Sequence, residues 1–333
     1  MGTVVVSVDA ELSNHRQPSE REKRRARYGW RRLLELFETH DVPATWAVVG
    51  RLFTDTTEMD DRAPGSWFTA EATATFDDPA RVVAERNRLS RSLSGRSLIE
   101  ALLDSDPDHD VGCHSYSHPR FSNITRAQAD AELTAAAAAM GEWGLEPRSF
   151  VYPFNAVDHR DVLADRGYLC YRETLGPGAG QERPTPDRPP YHPLELAPES
   201  VKWWAGWALD RVSEAYDAVV SEEPPALVEP EIQDTGLVAI PASLPQLYRM
   251  PLPARQAVRR MRGCPVERIV KLGIDAAIEN DGIFHVWFHP GDFEVEGDFQ
   301  SFESILEYVA ERREDGDLRT ATMVDVAERT LNF

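Results

Sequence analysis

Short apolar runs alternate along the chain with longer amphipathic segments. Residues 4–8 are β-branched and apolar and stop at Asp9, the pattern of a buried strand. Residues 20–40 are rich in Arg and Glu but place Leu33, Leu34, Leu36 and Phe37 on one stripe, which predicts a helix. Pro43 ends it, because proline disfavours helix in the residue before it. Residues 44–50 form a second buried strand closed by Gly50, and the polar stretch 54–97 reads as a lid or surface excursion. A short helix over 98–103 leads to a third strand ending at Val111-Gly112-Cys113-His114. Thr125-Arg126-Ala127-Gln128 has the capping-box pattern and opens a helix through the alanine tract to about Trp143. A strand over 149–152, a helix over 157–166 and a strand over 168–171 follow.

The second half is less regular. Residues 176–200 are crowded with Gly and Pro and read as a loop. Gly176-Pro177-Gly178-Ala179-Gly180 is followed by Pro-rich coil rather than a helix, so it offers no phosphate site. A helix is expected over 207–220, an irregular stretch over 224–255, and an Arg-rich segment over 255–262 that continues into a helix over 265–280. A last strand covers 284–289, with closing helices over 301–314 and 323–331. Strands and helices in alternation predict an α/β protein with a parallel sheet. With no internal repeat and no linker, residues 1–333 read as one domain carrying an insertion or extension at about 173–275.

Composition narrows the function classes. At 333 residues and 42% hydrophobic, the chain has ample material for a large core. A net charge of −20 disfavours a nucleic-acid partner, which needs clustered Lys and Arg. No apolar run approaches the roughly 20 residues of a membrane helix, so the chain is not expected to be integral to a membrane. The N-terminus has no basic flank and no signal-peptide core, which predicts a cytoplasmic location. Cys113, Cys170 and Cys264 are odd in number and form no CxxC pair, in keeping with a reducing compartment. Of 36 basic residues only Lys23, Lys202 and Lys271 are lysine. Scarce lysine with excess carboxylate predicts adaptation to high salt, which screens self-repulsion to within a few ångströms.

The polar residues at strand ends carry the candidate chemistry. In His114-Ser115-Tyr116-Ser117-His118, two imidazoles at i and i+4 share a face if the segment is helical and could then grip one metal ion. In Asp9-Ala10-Glu11, extended backbone turns both carboxylates the same way, for a base or a ligand role. His289 lies at the end of the last strand. A metal, a carboxylate base and an imidazole acid are the parts of a hydrolase. Trp203, Trp204 and Trp207 read as a core stripe, and Arg259, Arg260 and Arg262 as a solvated face.

On these motifs the chain resembles the polysaccharide deacetylase (NodB-homology) family, which folds as a distorted (β/α)7 barrel. Ser7-Val8-Asp9-Ala10-Glu11 stands for its first motif, residues 110–119 for its HxxxH metal motif, Phe150-Val151-Tyr152-Pro153-Phe154-Asn155 for its third, and Phe288-His289-Pro290 for its late histidine. The resemblance implies Asp9 as base and His289 as acid. It also implies a divalent metal, zinc above all, on His114 and His118, and Tyr152, Asn155 and Arg172 toward substrate. Ala10 stands where the family has a second Asp. Either Glu11 takes that ligand place beside Asp9, or Asp9 ligates and the base is lost or comes from elsewhere. The implied activity is removal of N-acetyl or O-acetyl groups from a sugar or polysaccharide precursor. The alternatives are a metal-free amidohydrolase acting on a small amide or ureide, and a catalytically silent protein that binds a glycan or partner.

Overall fold

The computed structural model describes residues 1–12, 20–54, 95–173, 224–244, 246–247 and 265–332. Most of the expected excursion over 54–97, the 176–200 loop with its glycine run, the 207–220 helix, the three tryptophans at 203–207, the 255–262 segment and Cys264 lie outside the described residues.

Among the described residues, seven parallel strands form the barrel wall: β1 (Gly2–Ala10), β2 (Thr45–Val48), β3 (Asp110–Cys113), β4 (Ser149–Val151), β5 (Cys170–Glu173), β7 (Val238–Pro241) and β8 (Ile283–Phe288). Their order is β7-β5-β4-β3-β2-β1-β8. The outer edge of β8 is closed by backbone donors flanking β7: Val228, Ser243 and Leu247 give their N–H groups to the carbonyls of Ile283, His285 and Trp287 at 2.7, 2.8 and 3.0 Å. The result is the expected distorted (β/α)7 barrel. Three strands were not legible in advance: β7 itself, β6 (Glu231–Ile232), antiparallel to β7, and β9 (Leu318–Ala321), parallel to β1. The stretch 224–255, expected to be irregular, therefore carries β6 and a strand of the barrel wall.

Around the barrel lie α1 (Glu20–Thr39), α2 (Arg96–Leu103), α3 (Arg126–Gly141), α4 (Arg160–Asp165), α5 (Pro265–Glu279), α6 (Glu296–Glu314) and α7 (Met323–Leu331). The capping box at Thr125 and Gln128 is formed as the sequence predicts.

Period-two alternation sorts the strands into two cores. Val4, Val6, Val8 and Ala10 of β1 face outward with Trp46, Phe150, Tyr171, Phe284 and Phe288 into a layer shared with the helices. Val5, Ala47, Val151, Cys170, Val238 and Ile240 face inward and meet Met323, Val326 and Ala327 of α7, which plugs the lower end. Along β1 the inward column thus climbs from Val5 through Ser7 to Asp9, with Glu11 just beyond. The apolar floor becomes a charged mouth at the C-terminal end of the strands.

Candidate active site

Asp9 is buried, and its two oxygens take a fork of hydrogen bonds from Arg172 at the inward position of β5: Nη1 to Oδ1 at 2.5 Å and Nη2 to Oδ2 at 2.7 Å. Burial alone would raise the Asp9 pKa, but the guanidinium outweighs it and holds the carboxyl at about 2. Arg172 also donates to Asn155 Oδ1 at 3.0 Å and to Ser7 Oγ at 3.2 Å, and its guanidinium lies 4.1 Å from the centre of the Trp287 ring. Below it, Ser7 Oγ and His285 Nε2 are 2.9 Å apart, and His285 Nδ1 lies 2.9 Å from the Pro241 carbonyl.

The two histidines of the HxxxH segment meet, but not on a helix. The chain leaves β3 at His114 and turns through left-handed backbone at Ser115 (φ 59°) and His118 (φ 62°), which brings the two Nε2 atoms to 3.1 Å. His114 Nδ1 faces the Val151 carbonyl at 2.7 Å, which fixes Nδ1 as the protonated nitrogen and turns the Nε2 lone pair toward His118. Burial, with His118 beside it, lowers the His114 pKa to about 4 and so keeps the ring neutral. Glu11 Oε2 lies 3.0 Å from His118 Nε2, and Oε1 lies 3.3 Å from His289 Nε2. Both Glu11 oxygens are buried and, among the described residues, neither has an aligned hydrogen-bond partner. Ligand atoms of Glu11, His114 and His118 fall within 4.8 Å of one another. Two imidazoles and a carboxylate that converge, with both carboxylate oxygens unfilled, fit a divalent cation.

His289, just past β8, completes the mouth. Its Nδ1 lies 3.0 Å from Asp292 Oδ2, and its backbone N–H donates to the same oxygen at 2.7 Å. Gln246 Nε2 donates to Asp292 Oδ2 at 2.8 Å and lies 2.9 Å from His289 Nδ1. Burial disfavours the charged ring, but Asp292, then Glu11 and Asp9, raise its pKa to about 10. His289 Nε2 stands 3.8 Å from Asp9 Oδ2.

Asp9, Glu11, His114, His118, Asn155, Arg172 and His289 are therefore brought together at one mouth, while Tyr152 is not. Tyr152 follows β4 at an outward position, so its ring packs against Phe121, Phe150 and Tyr171 in the outer layer and is fully buried. Strand parity turns its side chain away from the mouth. Arg172, also expected at substrate, is 1% exposed and spends its donors on Asp9, Asn155 and Ser7. Phe154 faces the mouth instead, half exposed and in left-handed backbone (φ 59°), with its ring 4.7 Å from that of His118. Sequence reasoning passed over Asp292, Gln246, Ser7, His285 and Trp287. Asp292 carried a signal, its place three residues after His289 in a His-Pro-Gly-Asp turn.

Residues 26–169 match the family model described as polysaccharide deacetylase. The match takes in β2, β3 and β4 and both histidines of the turn, and leaves Asp9, Glu11, Arg172 and His289 outside it. No curated protein matches the chain. Among solved structures, one assigned to the polysaccharide deacetylases from Mycobacterium smegmatis is similar with a TM-score of 0.55 at 15% identity, covering 98% of this chain and 89% of that one. A GH57-type branching enzyme from Pyrococcus horikoshii is similar with a TM-score of 0.51 at 11% identity, covering 97% of this chain and 69% of that one. At such identities the likeness is one of fold.

Proposed function

We propose that the chain is a hydrolase of carbon–nitrogen bonds other than peptide bonds, a deacetylase that frees an amine and acetate from an N-acetylated sugar or sugar-linked precursor. One observation carries this reading: an anionic carboxylate, a protonated imidazole and a Glu-His-His ligand set share the mouth of one barrel. Glu11, His114 and His118 would hold a divalent ion, zinc by the chemistry of the donors, and when bound it supplies Lewis acidity toward an acyl oxygen.

The other steps fall to the chain's own side chains. Asp9 accepts a proton from the attacking water, and the paired Arg172 keeps it ionised and aimed. His289, kept protonated by Asp292, gives its Nε2 proton to the departing nitrogen as the C–N bond breaks. An O-acetyl ester would follow the same course with an alcohol leaving. The charge of −20 and the scarcity of lysine favour a high-salt setting, and the buried free thiols of Cys113 and Cys170 suit a cytoplasmic one. The test is acetate release from N-acetylated chitooligosaccharides by zinc-loaded protein in concentrated KCl. Turnover that Asp9→Asn abolishes supports the reading; no acetate from any N- or O-acetylated sugar overturns it.

A further inference from the structure

We propose that Glu132 of α3 is a positioning residue that folds the His114–His118 turn into its ligand-holding shape. The inference deepens the metal reading above and rests on it.

The buried face of α3 consists of Ala129, Glu132, Leu133, Ala136, Ala139 and Met140. A carboxylate in that stripe costs several kcal/mol unless it is fully hydrogen-bonded. Glu132 is completely buried, and its oxygens are used up on one short segment. Oε2 accepts the backbone N–H groups of Tyr116 at 3.0 Å and Ser117 at 2.8 Å, and Oε1 accepts the Ser117 hydroxyl at 2.5 Å. These three donors all lie between the two metal-facing histidines.

The turn needs such a template because nothing regular holds it. His114 N–H still belongs to the sheet, donating to the Val48 carbonyl at 2.9 Å. The next four residues form neither helix nor strand, and two of them, Ser115 and His118, sit in left-handed backbone. On the other side the turn's carbonyls are met by a short 3-10 turn at Gly50–Leu52, through Gly50 N–H to Ser115 at 2.8 Å and Arg51 N–H to Tyr116 at 3.1 Å. Gly50 permits that approach, since a Cβ there would lie 3.1 Å from both Ala136 Cα and the Tyr116 ring. His118 N–H closes the turn on Ser115 Oγ at 3.0 Å. Glu132 thus takes the N–H side of the turn and β2's exit takes the carbonyl side. Without the carboxylate, the N–H groups of Tyr116 and Ser117 would lose this acceptor, and His118 would be free to leave His114.

The test compares wild type with Glu132→Ala, Glu132→Gln and Ser117→Ala by two readouts. One is zinc affinity by competition with a chromophoric chelator; the other is amide exchange at Tyr116 and Ser117 in metal-free protein. We expect Glu132→Ala to lower zinc affinity by about ten- to a hundredfold, as loss of a residue that orients a metal's ligands does. Exchange at the two amides should speed up while that of β1 and β8 stays unchanged. Glu132→Gln keeps an acceptor for the N–H pair and should recover most of both, and Ser117→Ala should fall between. Zinc affinity unchanged in Glu132→Ala, with wild type binding, overturns the role of Glu132 alone. A loss tracking global unfolding in all three variants overturns it too. Wild type that binds no zinc overturns the metal reading and this inference together.

Discussion

One barrel holds an aspartate at each of its ends, Asp9 buried and Asp110 half-buried, and their environments drive them in opposite directions. At the mouth, Asp9 is held at about 2 because Arg172 covers both oxygens. At the floor, Asp110 opens the inward column of β3 that ends four residues later at His114. Among the described residues its Oδ2 accepts hydrogen bonds from the hydroxyls of Thr45 and Ser149, at 2.9 and 2.7 Å, with the Arg148 charge further off. Burial, with Asp325 nearby, outweighs those two donors and pushes Asp110 up to about 6. A full opposite charge reverses the effect of burial, whereas two hydroxyls do not. The mouth is thus arranged to keep a charge ready for use. The floor is arranged to seal, with α7 bound there through Met323 N–H to Thr45 Oγ1 at 2.8 Å.

Removing the arginine should break the contrast most severely. Arg172→Leu leaves Asp9 buried without its counter-charge, so we expect a loss of about 3–5 kcal/mol in stability, read by urea denaturation at neutral pH. Acetate release should fall by about two orders of magnitude or more. Arg172→Lys should rescue little, because an ammonium cannot span both Asp9 oxygens and Asn155 together. An Arg172→Leu protein of wild-type stability and rate would show that the pair does not govern Asp9.

Asp292→Asn acts on His289, the proposed acid. His289 is raised above its unfolded value, so the stability it contributes is fully present below about 6.5 and is lost as pH rises toward about 10. Without Asp292 the imidazolium deprotonates earlier, so the basic limb of kcat/KM should move to lower pH, by about one unit or more. A pH–rate profile on the variant reads this directly.

The floor should respond with the sign opposite to that of the Arg172–Asp9 pair. Asp110 in the folded chain binds its proton more tightly than in the unfolded chain, so its stabilising effect is greatest below about 3.8 and is lost as pH rises through about 6. Asp110→Asn removes that loss and should stabilise the protein above pH 6 by about 1–3 kcal/mol, with little effect at pH 4. The check is urea denaturation at both values. Ser149→Ala should have the smallest effect, about 1 kcal/mol of destabilisation at neutral pH from the lost hydroxyl donor.

How much of this the sequence disclosed depends on how local the cause is. The barrel was legible because its strands are short apolar runs ending in polar residues, as at Val8-Asp9 and Gly112-Cys113-His114. β7 was hidden because Val238-Ala239-Ile240-Pro241 is only four residues long within a stretch rich in turn residues, and β9 because Leu318-Arg319-Thr320-Ala321 has little apolar character. The mouth's donors were legible as residue types at strand ends, but their pairings were not. Arg172 and Asp9 are 163 residues apart, and nothing local says that the guanidinium turns inward. The outward turn of Tyr152 was hidden for a related reason, since the parity of the residues that follow β4 is set by the register with β3 and β5. Glu132 was readable only as one more polar residue in an alanine tract until its helix was docked.

The central claim is that the mouth divides its carboxylates, Glu11 for the metal and Asp9 for the base. It is tested most directly by elemental analysis of wild type, Asp9→Asn and His114→Ala, each purified in concentrated KCl and exposed to equal zinc. The account predicts stoichiometric zinc in wild type and in Asp9→Asn, and none in His114→Ala. Zinc lost from Asp9→Asn, or retained by His114→Ala, would contradict it.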